Sequence, residues 1–357
     1  MALERYVVLA GSRAVGSGRQ PVRLYSVMLD QEVRIAIDQP LARGEPGWSN
    51  YVRGVLEGMR RRGHELFGFD AVICSTVPLG AGLSSSAALE VATLTLLEGL
   101  LGVSLPPLDQ ALLCQKAEHE FAQMPCGLMD QLVAVMGDPK GPLLIDCRSA
   151  GVQVVPMPAG DVSVLVCNSN VRHSLGDGQY ARRRAECQKA AEVLGVSALR
   201  DVDLEALLAA EERMDSVVFR RARHVVTENA RTVEAAAALT AGDVSRFGHL
   251  MYESHRSLRD DFEVSCPELD TLVDLARSIG HDGGVHGARM TGGGFGGSAV
   301  LLVRTSEVPE ITSRIERGYL ACTSRRADIF STVAGQGARL LPAVGSEHRV
   351  GDVPAQP

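Results

Sequence analysis

Short apolar runs and longer helical patterns alternate along the chain. Residues 5–10 form a strand-like run, followed by others at 23–27 and 31–37. Alternation in the last run predicts an antiparallel strand with one face in water. Residues 49–62 carry a helical pattern whose basic end suits a helix C-terminus. An apolar, β-prone run at 71–77 is ended by Pro78, and an Ala- and Leu-rich pattern predicts a helix over 85–101. A further helix is predicted over 107–121; the stretch 125–131 breaks its period and restarts a helix through Val135. Residues 141–147 and 162–168 read as strands, and a polar loop at 169–180 carries Arg172, His173 and Tyr180. Helical patterns then occupy 182–194, 204–213, 220–239, 243–257 and 268–279, ahead of a glycine cluster at 287–297 and a strand at 298–304. This order predicts an α/β chain of two domains, 1–155 and 156–341, with a frayed tail at 342–357.

Composition narrows the class of partner. A hydrophobic share of 45% with 22% charged residues supplies a core of ordinary size. A net charge of −7 and a pI near 5.8 give no basic field for nucleic acid or an anionic membrane. The basic runs 182–184 and 220–224 read as solvated helix faces, because no aromatic platform accompanies them. No apolar run reaches membrane-spanning length, and residues 1–30 carry no signal-peptide pattern. The eight cysteines include no C-x-x-C pair, and Cys147 and Cys167 end apolar runs. Those inside apolar runs read as buried reduced thiols of a cytoplasmic protein, not as a disulfide frame or zinc site.

The chemistry concentrates in 77–90, Val-Pro-Leu-Gly-Ala-Gly-Leu-Ser-Ser-Ser-Ala-Ala-Leu-Glu. Strand, glycine turn and helix start follow one another, so unpaired N–H groups and the helix dipole converge on one spot. Gly80 and Gly82 let an anion approach the main chain, and Ser84, Ser85 and Ser86 add hydroxyls for capping, phosphate or metal. Three successive serines exceed what one cap requires, so this is a phosphate loop. It is not a P-loop, which needs a Lys, nor a dinucleotide fingerprint, which needs a glycine where Ser85 stands. Glu118, in the helix over 107–121, reads on its own as a solvated carboxylate. Asp130, in a helix first turn, is either a dipole-favoured acid or a general base beside a substrate hydroxyl. Five glycines in the six residues 292–297 imply a backbone approached closely by a ligand or another loop.

The motifs Pro78-Leu-Gly-Ala-Gly-Leu-Ser-Ser-Ser-Ala87 and Met290-Thr-Gly-Gly-Gly-Phe-Gly-Gly297 resemble the two glycine motifs of the GHMP family of small-molecule kinases. Pro125-Cys-Gly-Leu-Met-Asp-Gln131, Asn168-Ser-Asn-Val-Arg-His-Ser174 and Glu253-Ser-His-Arg-Ser-Leu-Arg-Asp-Asp261 resemble its galactose-phosphorylating branch, and the likeness runs from Met1 to about Leu341. The resemblance implies an N-terminal α/β domain, a C-terminal ferredoxin-like domain, and a site between them. It implies that Gly80, Gly82, Ser84 and Ser85 line the ATP phosphate site, and that Ser86 and Glu118 hold Mg²⁺. Asp130 would be the base or orienting group for the sugar's anomeric hydroxyl, with Gly127 and Tyr180 contacting galactose. A monomer is expected.

That branch also carries a segment of the form Gly-Arg-x-Asn-Leu-Ile-Gly-Glu-His-x-Asp-Tyr, which the sequence given does not contain. Met1-Ala-Leu-Glu resembles the residues just downstream of it. The expectations are therefore an unpaired sheet edge beside residues 5–10 and a chain that is, as written, a poor catalyst. Two alternatives stay open: a non-catalytic ligand-binding protein on the kinase fold, and a kinase for N-acetylgalactosamine.

Overall fold

The computed structural model describes residues 1–16, 20–158, 160–172 and 178–342. Three strands open the chain: β1 (Val7–Arg13), β2 (Val22–Ser26) and β3 (Gln31–Ile35). Helix α1 (Ser49–Arg61) and strand β4 (Phe69–Ser75) complete a four-stranded sheet of order β1-β4-β2-β3. Its inner face buries Val22, Leu24, Val33, Ile35, Ala71 and Ile73, while Arg23, Tyr25, Arg34 and Val72 point outward, which is the period-2 alternation of a half-solvated sheet. β1 stands at the edge. It begins two residues later than the apolar run, because Leu3 bridges Ala334 and Tyr6 is tied to Thr76.

Helices α2 (Ser85–Leu101) and α3 (Pro107–Ala117) pack with α1 beneath this sheet. Val52, Val55, Leu56 and Met59 of α1 recur at helical spacing and are fully buried. A π-turn, Glu118–Ala122, follows α3, and α4 (Met129–Met136) restarts the chain. A hairpin of β5 (Leu143–Asp146) and β6 (Gly151–Val154) comes next. Its second strand is not anticipated in the sequence, and Cys147 is exposed because β5 ends one residue before it.

β7 (Val162–Arg172) starts the second unit, followed by α5 (Gln179–Leu194), α6 (Leu204–Ala209), α7 (Ser216–Thr240), α8 (Val244–Asp260) and α9 (Pro267–Ile279). The strands β8 (Val285–Met290) and β9 (Gly296–Arg304), the helix α10 (Val308–Thr323) and β10 (Asp328–Thr332) close it. The four strands are antiparallel in the order β10-β7-β9-β8, the ferredoxin-like arrangement implied by the resemblance. Leu269, Leu272, Val273 and Ala276 of α9, with Ile311, Ile315 and Tyr319 of α10, fill one face; Met251 of α8 meets Val162 and Leu302 on the other. After β10 the chain returns to the first unit, where Ala338 N–H donates to Ala134 O and Gly337 N–H to Gly137 O.

Besides the exposure of Cys147, a second expectation is overturned here. The basic runs are not simply solvated faces: Arg221 is 1% exposed and Arg183 is 7% exposed. Arg221 donates to Glu186 at 3.0 Å, to Glu263 at 2.6 Å and to the Asp261 carbonyl, while Arg183 donates to the Phe262 and Glu263 carbonyls. The two guanidiniums satisfy the carbonyls of the turn between α8 and α9, a task periodicity does not reveal. All eight cysteines are unpaired. No helix among the described residues is long and apolar enough to cross a membrane.

Candidate functional site

The segment around 78–84, the candidate phosphate loop, has the strand, glycine turn and helix start expected of its sequence. Gly80 and Gly82 take the left-handed φ values +71° and +69°. Ser84, the N-cap of α2, is also left-handed at φ +55°, an uncommon conformation for a side-chain-bearing residue. Its hydroxyl makes no capping bond, and the first turn of α2 holds no acidic side chain. The leading N–H groups of a 17-residue helix therefore remain available to an anion, with Ser85 and Ser86 in that first turn.

The second glycine cluster supports this loop from the other domain. A Cβ added to Gly292 would stand 2.8 Å from the Gly82 carbonyl oxygen, and one on Gly297 3.1 Å from that of Ala81. Ser298 Oγ donates to the Ala81 carbonyl at 2.7 Å. Between the alternatives left open by the sequence, a ligand or another loop, the contact at Gly292 and Gly297 is with another loop.

Behind the loop lies an acid cluster. Glu118, 6% exposed at the head of the π-turn, accepts from Gln131 Nε2 at 2.7 Å and from Cys126 Sγ at 3.3 Å. Glu90, fully buried one turn along α2 from Ser86, accepts from the same Gln131 Nε2 at 3.2 Å. Glu90 Oε1 and Gln131 Oε1 are buried without a hydrogen-bond partner. Burial, then the Glu118 charge, push the Glu90 carboxyl well above the ordinary carboxylate range, and the Gln131 bond opposes them. Burial followed by the charges of Glu118 and Glu90 pushes the nearby Tyr51 hydroxyl up to about 12. Glu118, buried and with its carboxylate bonded only to Gln131 and Cys126 among the described residues, is the kind of oxygen ligand a divalent cation takes, with Ser86 in the adjoining first turn of α2. No group of three or more metal-ligating His, Cys, Asp or Glu side chains stands together among the described residues.

Glu90 yields a stability prediction. An acid whose pKa rises on folding holds its proton more tightly in the folded chain, so stability falls as pH climbs from the ordinary carboxylate range. Glu90→Gln keeps the shape and removes that titration. Its melting temperature relative to the unsubstituted chain should therefore rise steadily between about pH 5 and pH 8. Parallel thermal profiles in a chelating buffer would refute this.

A cavity of about 520 Å³ opens between the two domains. Gly82, Ser84, Ala88 and Asp130 line one wall, and Glu228, Arg231, Arg289 and Thr291 the other. Asp130 is half-buried in the first turn of α4, beside Gln131, so the clamp on Glu118 also holds the helix that carries Asp130. Glu228 bridges Arg231 and Arg289, leaving a net positive side facing the phosphate loop. Gly127 lies on the exposed loop before α4, with open space where a Cβ would stand. Tyr180 belongs to α5 by its backbone, but its side chain lies outside the described residues, as does His173. Glu90, Gln131, Arg231 and Arg289 were not singled out from sequence. For Glu90 the signal was present: it lies four residues after Ser86, on the same helix face.

A ferredoxin-like sheet whose glycine loop underpins the phosphate loop of an α/β partner defines the GHMP class of kinases. The profile of the GHMP kinases N terminal domain matches residues 50–138, and that of the GHMP kinases C terminal matches residues 235–320. Galactokinase of Bos taurus is 48% identical over 346 residues, covering 96% of this chain and 86% of the relative; that of Homo sapiens is 47% identical with the same coverage. The crystal structure of Lactococcus lactis galactokinase complexed with galactose superposes with a TM-score of 0.88 at 31% identity, over 95% of this chain and 88% of that one. The chain belongs to the galactokinase family of GHMP kinases.

Proposed function

We propose that the chain transfers the terminal phosphoryl group of ATP to the anomeric hydroxyl of galactose, giving ADP and galactose 1-phosphate. The observation that supports this reading is that Gly82, Ser84 and Asp130 open onto one cavity, so an anion-binding loop and a carboxylate share the space a reacting pair would occupy. The N–H groups of the loop and of α2 bind the phosphates, with the hydroxyls of Ser84 and Ser85 beside them. Asp130 orients the sugar hydroxyl and accepts its proton as the new P–O bond forms and the bond to ADP breaks. Gly127 and Tyr180 contact the sugar, and the Arg231–Glu228–Arg289 side of the cavity contributes positive charge. Glu118 and Ser86 would hold Mg²⁺, which neutralises phosphate charge when bound. A single protein carboxylate and hydroxyl suffice, because Mg²⁺ completes its shell with water and substrate oxygens. Phosphoryl transfer asks the protein mainly for positioning and charge neutralisation, and both domains supply these.

Galactose-dependent ADP release by the purified chain tests the reaction; none above the sugar-free rate would overturn it. The loop is tested separately by calorimetry with Mg·ATP. Ser84→Ala combined with Ser85→Ala should weaken binding by about tenfold or more, the scale of two lost hydrogen bonds to charged oxygens. Equal affinities would remove those serines from the phosphate site.

A further inference from the structure

Met290 is the last residue of β8, an edge strand, and the glycine loop that supports the phosphate loop begins two residues later. Thr291 N–H points inward and donates to the Ser298 carbonyl of β9 at 2.9 Å. The Met290 N–H points the other way, toward α8, in a residue with no exposed surface. A buried edge-strand donor of this kind would lack a partner. It finds one in His255 of α8, itself 2% exposed, whose Nδ1 accepts from Met290 at 3.3 Å. The carbonyl of the same residue accepts from Arg289 Nε at 3.0 Å. Both polar groups of Met290 are therefore held from the side opposite β9.

The bond at Nδ1 determines the state of the ring. Since Nδ1 accepts, the imidazole hydrogen resides on Nε2, which stands 3.2 Å from Asp270 Oδ1 and is angled off an ideal hydrogen bond. Asp270, in the first turn of α9, is steadied by Ser265 Oγ at 2.6 Å. Nearer the start of α8, a Cβ on Gly248 would overlap the His286 carbonyl oxygen and one on Gly287 would overlap Gly248 Cα, so this close approach fixes the height of β8 against the helix. From His255 the connections run through Met290 to Gly292, and from Gly292 to the carbonyl of Gly82.

We infer that His255 is a positioning residue for the phosphate loop: in its Nε2–H tautomer, set against Asp270, it holds the Met290 amide and so sets the seat on which residues 81 and 82 rest. His255 touches no substrate. It acts through β8 and the glycine loop, and the inference rests on the kinase reading only for the meaning of that loop.

Two substitutions separate the ring nitrogens. Asn puts an amide oxygen near the place of Nδ1, and Gln puts its amide near the place of Nε2. His255→Asn should keep amide hydrogen exchange over 286–298 and 80–84 within about twofold of the unsubstituted chain. His255→Gln should speed exchange in both segments by about tenfold, the scale of one unmet buried donor, and weaken Mg·ATP binding to a similar extent. A merely local role would speed 286–298 alone. Unchanged exchange at 80–84 in the Gln chain, or equal behaviour of the two variants, would overturn the inference. Nitrogen NMR of the unsubstituted chain adds a test free of folding losses, since a His255 hydrogen found on Nδ1 would also overturn it. Failure of that chain to bind Mg·ATP would count against the proposed function, while the exchange result would still decide the role of His255.

Discussion

Asp130→Asn is expected to lower galactose-dependent ADP release by about 10²–10⁴-fold, the contribution of a positioned general base, with Mg·ATP affinity unchanged. The substitution removes charge and proton acceptance but keeps the shape of a half-buried side chain in the first turn of α4. Neighbouring Gln131 keeps its bonds to Glu118 and Glu90, so the helix start should not move. Asp130 accepts no hydrogen bond from the loop at 80–84 among those described, so that loop should keep its shape. Loss of ATP binding together with turnover would show a structural defect. A fall of less than about tenfold would end the base assignment.

Arg221→Met is expected to destabilise the chain by about 3 kcal/mol without touching the cavity. Methionine fills much of the same volume, so the cost comes from unmet polar groups and not from an empty space. Glu186, mostly buried, loses one of its partners, and the Asp261 carbonyl loses the guanidinium that caps it. Glu263 is 45% exposed and keeps water and Arg220, so its share is small. Urea unfolding would read the effect as a lower midpoint at unchanged slope. A loss under about 1 kcal/mol would mean that Arg183 and water replace Arg221 in the turn.

These two sites also mark how far the sequence could be read. The helix over 85–101 is where the sequence places it, because Pro78 and the glycine turn leave a single start and Gly102 a single stop. Asp130 falls in a helix first turn as expected, since the Pro125–Gln131 stretch breaks one period and begins another. Arg221 was illegible for the opposite reason: its partners lie 35 to 42 residues away, on α5 and beyond α8, and local pattern carries no record of them. β8 was hidden by Gly287, whose purpose is to let α8 come close and which reads in isolation as part of a loop. α10 was readable in principle from Pro309, Ile311, Ile315 and Tyr319, but its core positions are sparse. The protonation of Glu90 depends on its burial, which periodicity gives only for apolar residues.

The hydrogen bond from Ser298 to Ala81 joins positions 217 residues apart. The phosphate loop thus gains its support only when nearly the whole chain has been synthesised and both domains have met. Until the C-terminal half is made, residues 81 and 82 lack the bond from Ser298 and the close seat of Gly292 and Gly297, so an N-terminal half alone offers nucleotide an unsupported loop. Nucleotide binding becomes a report on domain docking, and in refolding experiments it should emerge in the last phase, after the helical signal of each half has already returned.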